Sequence, residues 1–508
     1  MTASFSLDDV DLVRLDILAS RLASLLKAGD VIALSGPLGA GKTTFARALV
    51  TRLDGEGEVP SPSFALMQRY ETPRLTLTHC DFYRLEPAEL DELGLDDALS
   101  EGAVLIEWPE RAVGWLPADR LDIEMDETAT PHERRIVLTG HGGWESRLER
   151  LEQMARFLDR TPYVAAPARY LQGDASTRSY ARLVLPDRAA ILMNSPRQPD
   201  GPPIRDGKPY SALVHLAEDV TPFVAVAGAL RERGVSAPAV YAFDLDQGFL
   251  ILEDLGDRVF GSEVARGGKM GELWGAAADV LATLAHKAPP QLLPIEGHAP
   301  YRLPAFDAEA MLTEASLLID WFWPALHDRP MPAELAEEFR ALWRPLLAEA
   351  ANTDLGWVLR DYHSPNLMWL PERQGLKKVG ILDFQDALFG PLAYDLVSLL
   401  QDARLEVPEA LERELLARYC SARGAQHKNF SGDRFVSLYA TLGAQRNSKI
   451  LGIFARLAKR DGKRGYLAHI PRVARYLERD LAHPALAELR RFYAREFPAA
   501  ETLPPLVV

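Results

Sequence analysis

Two groups of residues in this 508-residue chain have the types and spacing to handle phosphate. The first is Gly36, Gly39, Gly41, Lys42, Thr43 and Thr44, within a stretch that satisfies the pattern G-x-x-x-x-G-K-[ST]. Glycines let backbone N–H groups turn inward around dense negative charge, and a following helix presents its positive end to the same charge. In that layout Lys42 reaches the β- and γ-phosphates of a nucleotide and the Thr43 hydroxyl holds Mg²⁺. The second group is Asp361 and Asn366, in Arg360-Asp-Tyr-His-Ser-Pro-Asn366, followed by Asp383 after the apolar run from Val379 to Leu382. Phosphoryl transfer to a hydroxyl needs a base that orients the acceptor, and oxygen ligands for Mg²⁺. Asp361 is the candidate base, and Asn366 and Asp383 are the candidate metal ligands.

The elements around the first group read as an α/β unit. Val31 to Leu34 is a short buried strand and Thr44 to Arg52 the helix beyond it. Asp8 to Lys27 has helical spacing. The two prolines of Val59-Pro-Ser-Pro-Ser-Phe64 impose an extended loop. Leu75 to Asp81 alternates like a strand, Pro87 to Leu99 reads as a helix, and Ala103 to Glu107 is an apolar strand ending in an acid. Strands alternating with helices after a P-loop predict a mainly parallel sheet. Asp81 and Glu107, each at a strand end, are candidates to orient metal or water, and Trp108 beside them is a candidate nucleotide contact.

Around the second group the pattern is kinase-like. Trp144 to Leu158 is an Arg- and Glu-rich helical connector. Gly173-Asp-Ala-Ser-Thr-Arg-Ser-Tyr180 then leads into a hairpin, Ala181–Leu185 with Ala189–Met193, the device by which a kinase N-lobe covers ATP. Asp174, Ser176 and Arg178 are the candidate nucleotide contacts there. Leu250 to Gly256 reads as a strand and hinge, with Glu253 at its end, and the chain beyond is mostly helical. Against the kinase N-lobe pattern that this hairpin resembles, Met193 stands where a lysine ordinarily steadies the α- and β-phosphates; Arg178 and Lys208 are candidate replacements. The expected organisation is a P-loop NTPase domain over residues 1–148, a helical linker over 149–162, and a bilobal α+β protein-kinase-like domain over 163–508, its lobes dividing near residue 256.

Composition narrows the classes further. Apolar content of 47% and charged content of 25% are those of an ordinary globular protein. A net charge of −15 argues against a strong direct grip on nucleic acid. The two cysteines, Cys80 and Cys420, have no metal-type spacing and fit a reducing compartment. The first residues lack the features of a secretion signal, and no apolar run reaches the roughly 20 residues that span a bilayer. A cytoplasmic protein without a membrane segment is expected.

Two resemblances build on these residues. Gly36–Phe45, Val59–Phe64, His79-Cys-Asp-Phe-Tyr-Arg84 and Ile106-Glu-Trp-Pro-Glu-Arg111 resemble, in order and spacing, the TsaE family, over roughly residues 1–145. That family supplies the small ATPase of the bacterial machinery that makes threonylcarbamoyladenosine in tRNA. The resemblance implies ATP and Mg²⁺ held by Lys42 and Thr43, Asp81 serving the metal, Glu107 acting near the γ-phosphate, and tRNA-modifying protein partners of the TsaB and TsaD type. Ser63 stands where the family usually has Thr, and Pro37 where it often has Asp. Roughly residues 160–485 resemble the aminoglycoside phosphotransferase-like kinases. Within these the likeness is greatest to the sugar kinases that phosphorylate N-acetylmuramate and N-acetylglucosamine at the anomeric hydroxyl. Gly173–Ser176, Leu252-Glu-Asp-Leu-Gly256, Arg360–Asn366, Leu382-Asp-Phe-Gln-Asp386 and Gln445-Arg-Asn447 carry the likeness. It implies ATP, Mg²⁺ and an amino-sugar substrate, and with them a bifunctional protein. Trp369, Arg446 and Lys449 are candidate linings of the acceptor pocket. Two other readings of this half stand beside it: a kinase of choline, aminoglycosides or other hydroxylated amines, and a pseudokinase scaffold. Met193 favours the scaffold, whereas Asp361, Asn366 and Asp383 weigh against it.

Overall fold

The computed structural model describes residues 3–54, 62, 65–112, 114–171, 178–199 and 201–508. They form two compact units, Met1–Pro196 with Tyr241–Asp254, and Arg197–Val240 with Leu255–Val508.

The first unit begins with β1 (Ala3–Val10), α1 (Leu12–Leu25), β2 (Val31–Ser35), α2 (Lys42–Arg52), β3 (Met67–Tyr70) and β4 (Thr76–Asp81). It continues with α3 (Leu95–Glu101), β5 (Gly102–Glu107), β6 (Arg120–Glu127), β7 (Arg134–His141) and α4 (Gly143–Leu158). The seven strands form one sheet in the order β1-β7-β6-β2-β5-β4-β3. The four central strands, β6, β2, β5 and β4, run parallel, and antiparallel pairings close both edges. Val31, Ile32, Ala33 and Leu34 are all apolar and buried because β2 is covered on both faces.

Two local expectations give way to tertiary pairing. Residues 8–10, read as helix, extend β1, which pairs with β7 from Ala3↔Gly140 to Leu7↔Ile136. The helix starts only after Asp11, whose side chain accepts the Arg14 N–H at 2.8 Å. The helix expected over Pro87–Leu99 is split into a 3₁₀ turn, Pro87–Leu93, and α3. Gly94 separates them at φ +63°, a conformation that ends the first turn at no steric cost.

A second sheet of five strands follows: Val240–Asp244, Phe249–Glu253, β10 (Arg188–Asn194), β9 (Ser179–Leu185) and β8 (Ala168–Leu171), in that order. Pro186 and Asp187 make the turn between β9 and β10, which pair from Leu185↔Arg188 onward. Ala181, Leu183, Ala190, Leu192, Phe249 and Ile251 alternate onto one face, and that face merges into the same core as α1 and α4. Residues 149–162, expected as a linker, lie largely within α4. Leu148, Leu151, Met154, Phe157 and Leu158 recur at helical spacing and are buried. Phe157 stacks on Phe249 with ring centroids 5.5 Å apart. The Arg150 guanidinium lies 3.6 Å over the same ring and donates to Asn194 Oδ1 at 2.7 Å. The P-loop domain and the five-stranded sheet therefore share one core.

The second unit is mainly helical. Two short antiparallel ladders, Leu355–Val358 with Leu388–Pro391 and Leu367–Trp369 with Val379–Ile381, frame its loops. The 30-residue helix Gly432–Asp461 packs against the helices Ala308–Leu317 and Ala393–Leu400, burying almost every residue from Leu438 to Leu451. Among the described residues no helix is long and apolar enough to cross a membrane.

Candidate active sites

At the carboxyl end of β2 the chain turns through Gly36, Gly39 and Gly41 at φ +134°, +86° and +105°. A Cβ on Gly36 would stand 2.2 Å from the Met125 carbonyl oxygen, so only glycine fits there. Lys42 opens α2, and its ammonium donates to the carbonyls of Gly36 at 2.7 Å and Pro37 at 3.0 Å. Pro37, whose role the sequence left open, contributes that acceptor. The ammonium also lies 3.7 Å over the Trp108 ring. Burial lowers the Lys42 pKa, opposed by Glu107, Glu110 and Asp81. Trp108 is itself in the left-handed region at φ +63° and sits beside Tyr83, ring centroids 5.0 Å apart.

The two candidate acids meet here because their strands are neighbours in register: Asp81 lies opposite Glu107, and Glu107 opposite Leu34. Glu107 has both oxygens engaged, one accepting from the Thr43 hydroxyl at 3.0 Å and one 2.9 Å from His79 Nε2. His79 is wholly buried, and the reading of the sequence gave it no role. Its signal was the period-2 alternation of β4, which puts it on the same strand face as Asp81. A cavity of about 350 Å³ gathers Gly39, Gly41, Lys42, Thr43, Thr44, Asp81, Glu107 and Trp108. Left-handed glycines, one ammonium at a helix start, a hydroxyl and two carboxylates are a donor set that fits a triphosphate with Mg²⁺.

In the five-stranded sheet, Asp174 and Ser176 lie outside the described residues, as do Val59–Ser61, Ser63 and Phe64 of the proline loop. Arg178 immediately precedes β9 and Glu253 ends the strand Phe249–Glu253. Met193 is buried, opposite Tyr180 and Leu250. Arg182, opposite Ile191, shares that face, its Nε 2.6 Å from Asp254 Oδ2. It is a further cation beside Arg178 and Lys208, not named in the sequence reading.

In the second unit the loop after Leu355–Val358 carries Asp361 and Asn366. Asp395 pins it by accepting the N–H groups of Leu359 and Arg360, and Asp402 accepts the Ser364 N–H at 2.8 Å. The Asn366 amide donates to the Asp361 carbonyl at 3.0 Å, and the Leu382 N–H donates to the Asn366 carbonyl at 2.9 Å. Asp361, Asn366 and Asp383 are thereby brought together, and Gln385 donates to Asp383 Oδ1 at 2.9 Å. Arg360 and Asp383 both have positive φ, +74° and +56°. Such strain in non-glycine residues persists only where surrounding contacts over-determine it.

Beneath the loop lies a buried charge cluster. Glu314 accepts from Arg360 and from Lys449, the latter at 2.7 Å, and both of its cation partners are buried. Burial opposes ionisation of Glu314, yet Lys449 and Arg360 bring its pKa down to about 2. Burial also opposes charge on Asp361, but Lys449, His363, Arg446 and Arg360 hold its carboxyl below the ordinary value. Asp361 is thus an anion able to accept a hydrogen bond from a substrate hydroxyl. Glu314 was missed in the sequence, where it is one of two acids in the mostly apolar helix Ala308–Leu317. Asn366 and Asp383 offer an amide and a carboxylate oxygen, the kind of donors that Mg²⁺ takes when phosphates supply the rest.

A P-loop at the carboxyl edge of a parallel sheet and a kinase-type catalytic loop on a helical unit define a nucleotide hydrolase joined to a phosphotransferase. Comparison with known proteins agrees. Residues 167–430 match the model of the phosphotransferase enzyme family, and residues 11–136 that of threonylcarbamoyl adenosine biosynthesis protein TsaE. An N-acetylmuramate/N-acetylglucosamine kinase of Caulobacter vibrioides is 39% identical over 360 residues, 69% of this chain and 97% of that protein. A kinase of the same name from Pseudomonas aeruginosa is 35% identical over 333 residues, 63% of this chain and 86% of its own. The tRNA threonylcarbamoyladenosine biosynthesis protein TsaE of Streptomyces coelicolor is 42% identical over 134 residues, 25% of this chain and 89% of its own. The chain belongs to the phosphotransferase enzyme family, and its first part to the TsaE family.

Proposed function

We propose that the chain carries two separate activities, both using ATP and Mg²⁺, in the cytoplasm. The first domain, roughly residues 1–148, hydrolyses ATP in support of tRNA N6-threonylcarbamoyladenosine formation, acting with TsaB- and TsaD-type protein partners. Gly36, Gly39, Gly41, Lys42 and Thr44 cradle the phosphates against Trp108. Thr43 and Asp81 hold the metal, and Glu107, steadied by His79, orients the attacking water. The remainder, roughly residues 163–508, phosphorylates an amino sugar, N-acetylmuramate or N-acetylglucosamine, at its anomeric hydroxyl. Mg²⁺-bound ATP supplies the phosphoryl group and neutralises charge on it. Asn366 and Asp383 hold the metal, while Asp174, Ser176, Arg178 and Glu253 contact the nucleotide. Arg182, on the Met193 face, serves in place of the missing lysine. Asp361 orients the acceptor hydroxyl and takes its proton late, which suffices because an anomeric hydroxyl is acidic for an alcohol.

The observation that carries this reading is the meeting of Asp361, Asn366 and Asp383 on one braced loop pair. Its test is mass spectrometry of the full chain incubated with each sugar, ATP and Mg²⁺. A gain of one phosphoryl group on the sugar is expected, strongly reduced in Asp361→Asn while the P-loop ATPase persists. Loss of both activities together would defeat the two-site reading, and phosphate appearing only on choline or aminoglycosides would replace the sugar.

A further inference from the structure

Arg446 lies midway along the helix Gly432–Asp461 and is only 5% exposed. Among the described residues its guanidinium makes no hydrogen bond or ion pair, and Nη1 is fully enclosed without a partner. Burying a cation in this way is costly, so buried charges are ordinarily paired or given to a ligand. Lys449, three residues along the same helix, obeys the rule by bonding Glu314 at 2.7 Å. Of the carboxylates its charge acts on, Asp395 is committed to the backbone of Leu359 and Arg360, and Asp361 is the candidate base itself. Arg446 acts electrostatically on Asp361, His363, Tyr394 and Asp395. None of them lies within hydrogen-bonding distance of it. A five-donor fork therefore stands beside the candidate base with no anion of its own.

We propose that Arg446 grips an anionic substituent of the acceptor, the lactyl carboxylate of N-acetylmuramate, while Asp361 takes the hydroxyl of the same sugar. The proposal rests on the amino-sugar reading above and deepens it into a residue that sets specificity. A guanidinium matches a carboxylate bidentately, which a lysine ammonium does not. The candidate metal ligands Asn366 and Asp383 flank the ladder of Leu367–Trp369 with Val379–Ile381, away in sequence from the helix that carries Arg446. Arg446, on a separate element, is left for the acceptor. N-acetylglucosamine has no carboxylate, and comparing the two sugars isolates the group that Arg446 holds.

The experiment is steady-state kinetics of the full chain on both sugars, for wild type, Arg446→Gln and Arg446→Lys. In Arg446→Gln the ratio of kcat/KM for N-acetylmuramate to that for N-acetylglucosamine should fall roughly tenfold to a hundredfold, mainly through KM. Arg446→Lys should recover part of the loss. An unchanged ratio overturns the proposal in either of two forms. If kcat falls equally on both sugars, Arg446 clamps the phosphoryl group instead. If only the thermal midpoint falls, its role is packing. If wild type phosphorylates neither sugar, the amino-sugar reading itself fails and takes this proposal with it.

Discussion

The two phosphate-handling sites solve the same electrostatic problem with different materials. The P-loop site is made mostly of backbone: nine consecutive residues, 36–44, turn around a cavity, and two neighbouring strand ends add the acids. The kinase site is made mostly of side chains from distant parts of the chain. Glu314, Arg360, Asp395, Arg446 and Lys449 come from three helices and a loop, and all are buried. A phosphate can be gripped by amides that a local turn aims at it. A base for a hydroxyl has to be kept ionised in a low-dielectric setting, and that takes several charges brought in from elsewhere.

The largest effect should come from Asp361→Asn, which keeps the shape and removes the anion. Sugar phosphorylation should fall by about 10²–10⁴-fold, measured as product mass per time. ATP hydrolysis at the P-loop should persist, and a parallel loss would mean that the sites are not independent. Lys42→Ala is the reciprocal change. It should cost the P-loop ATPase roughly 10²-fold or more, while sugar phosphorylation continues at the wild-type rate.

Glu314→Gln sharpens the comparison by testing buried charge as structure. It leaves Arg360 and Lys449 uncompensated and should destabilise the fold by about 3–5 kcal/mol in chemical denaturation. The pH dependence has a definite sign. The folded-state pKa of Glu314 is about 2, below the 4.5 of an ordinary glutamate, so its stabilisation is present above 4.5 and disappears as pH falls toward 2. Wild type should lose this contribution over that acid window, and Glu314→Gln should lack that part of the decline. The smallest effect is expected for Asp54→Ala, which breaks the exposed Arg169–Asp54 pair between the P-loop domain and β8. Stability should change by no more than about 1 kcal/mol. A larger drop would show that charge, and not the Phe157–Phe249 core, joins the two sheets.

How legible each region was follows from the same contrast. Gly36, Lys42 and Thr43 are neighbours in sequence, so the motif, its strand and its helix could be read directly. Asp361 and Asn366 were readable for the same reason, being five residues apart on one loop. Arg182 escaped notice because its place beside Met193 depends on the register of a hairpin. Glu314 escaped because an acid in an apolar helix carries no sign of which cation it will meet. The reading of residues 149–162 as a linker rested on charge content, whereas burial of Phe157 depends on a sheet that forms later in the chain.

By itself the sequence determined what is local: a glycine turn that only left-handed backbone can close, apolar runs that become strands, an aspartate and an asparagine five residues apart on one loop. The tertiary structure alone decided which charges are paired and which is left over. That difference has a physical cause, since a turn is set by the φ and ψ of adjacent residues, while the cost of a buried charge is set by whatever the fold packs around it.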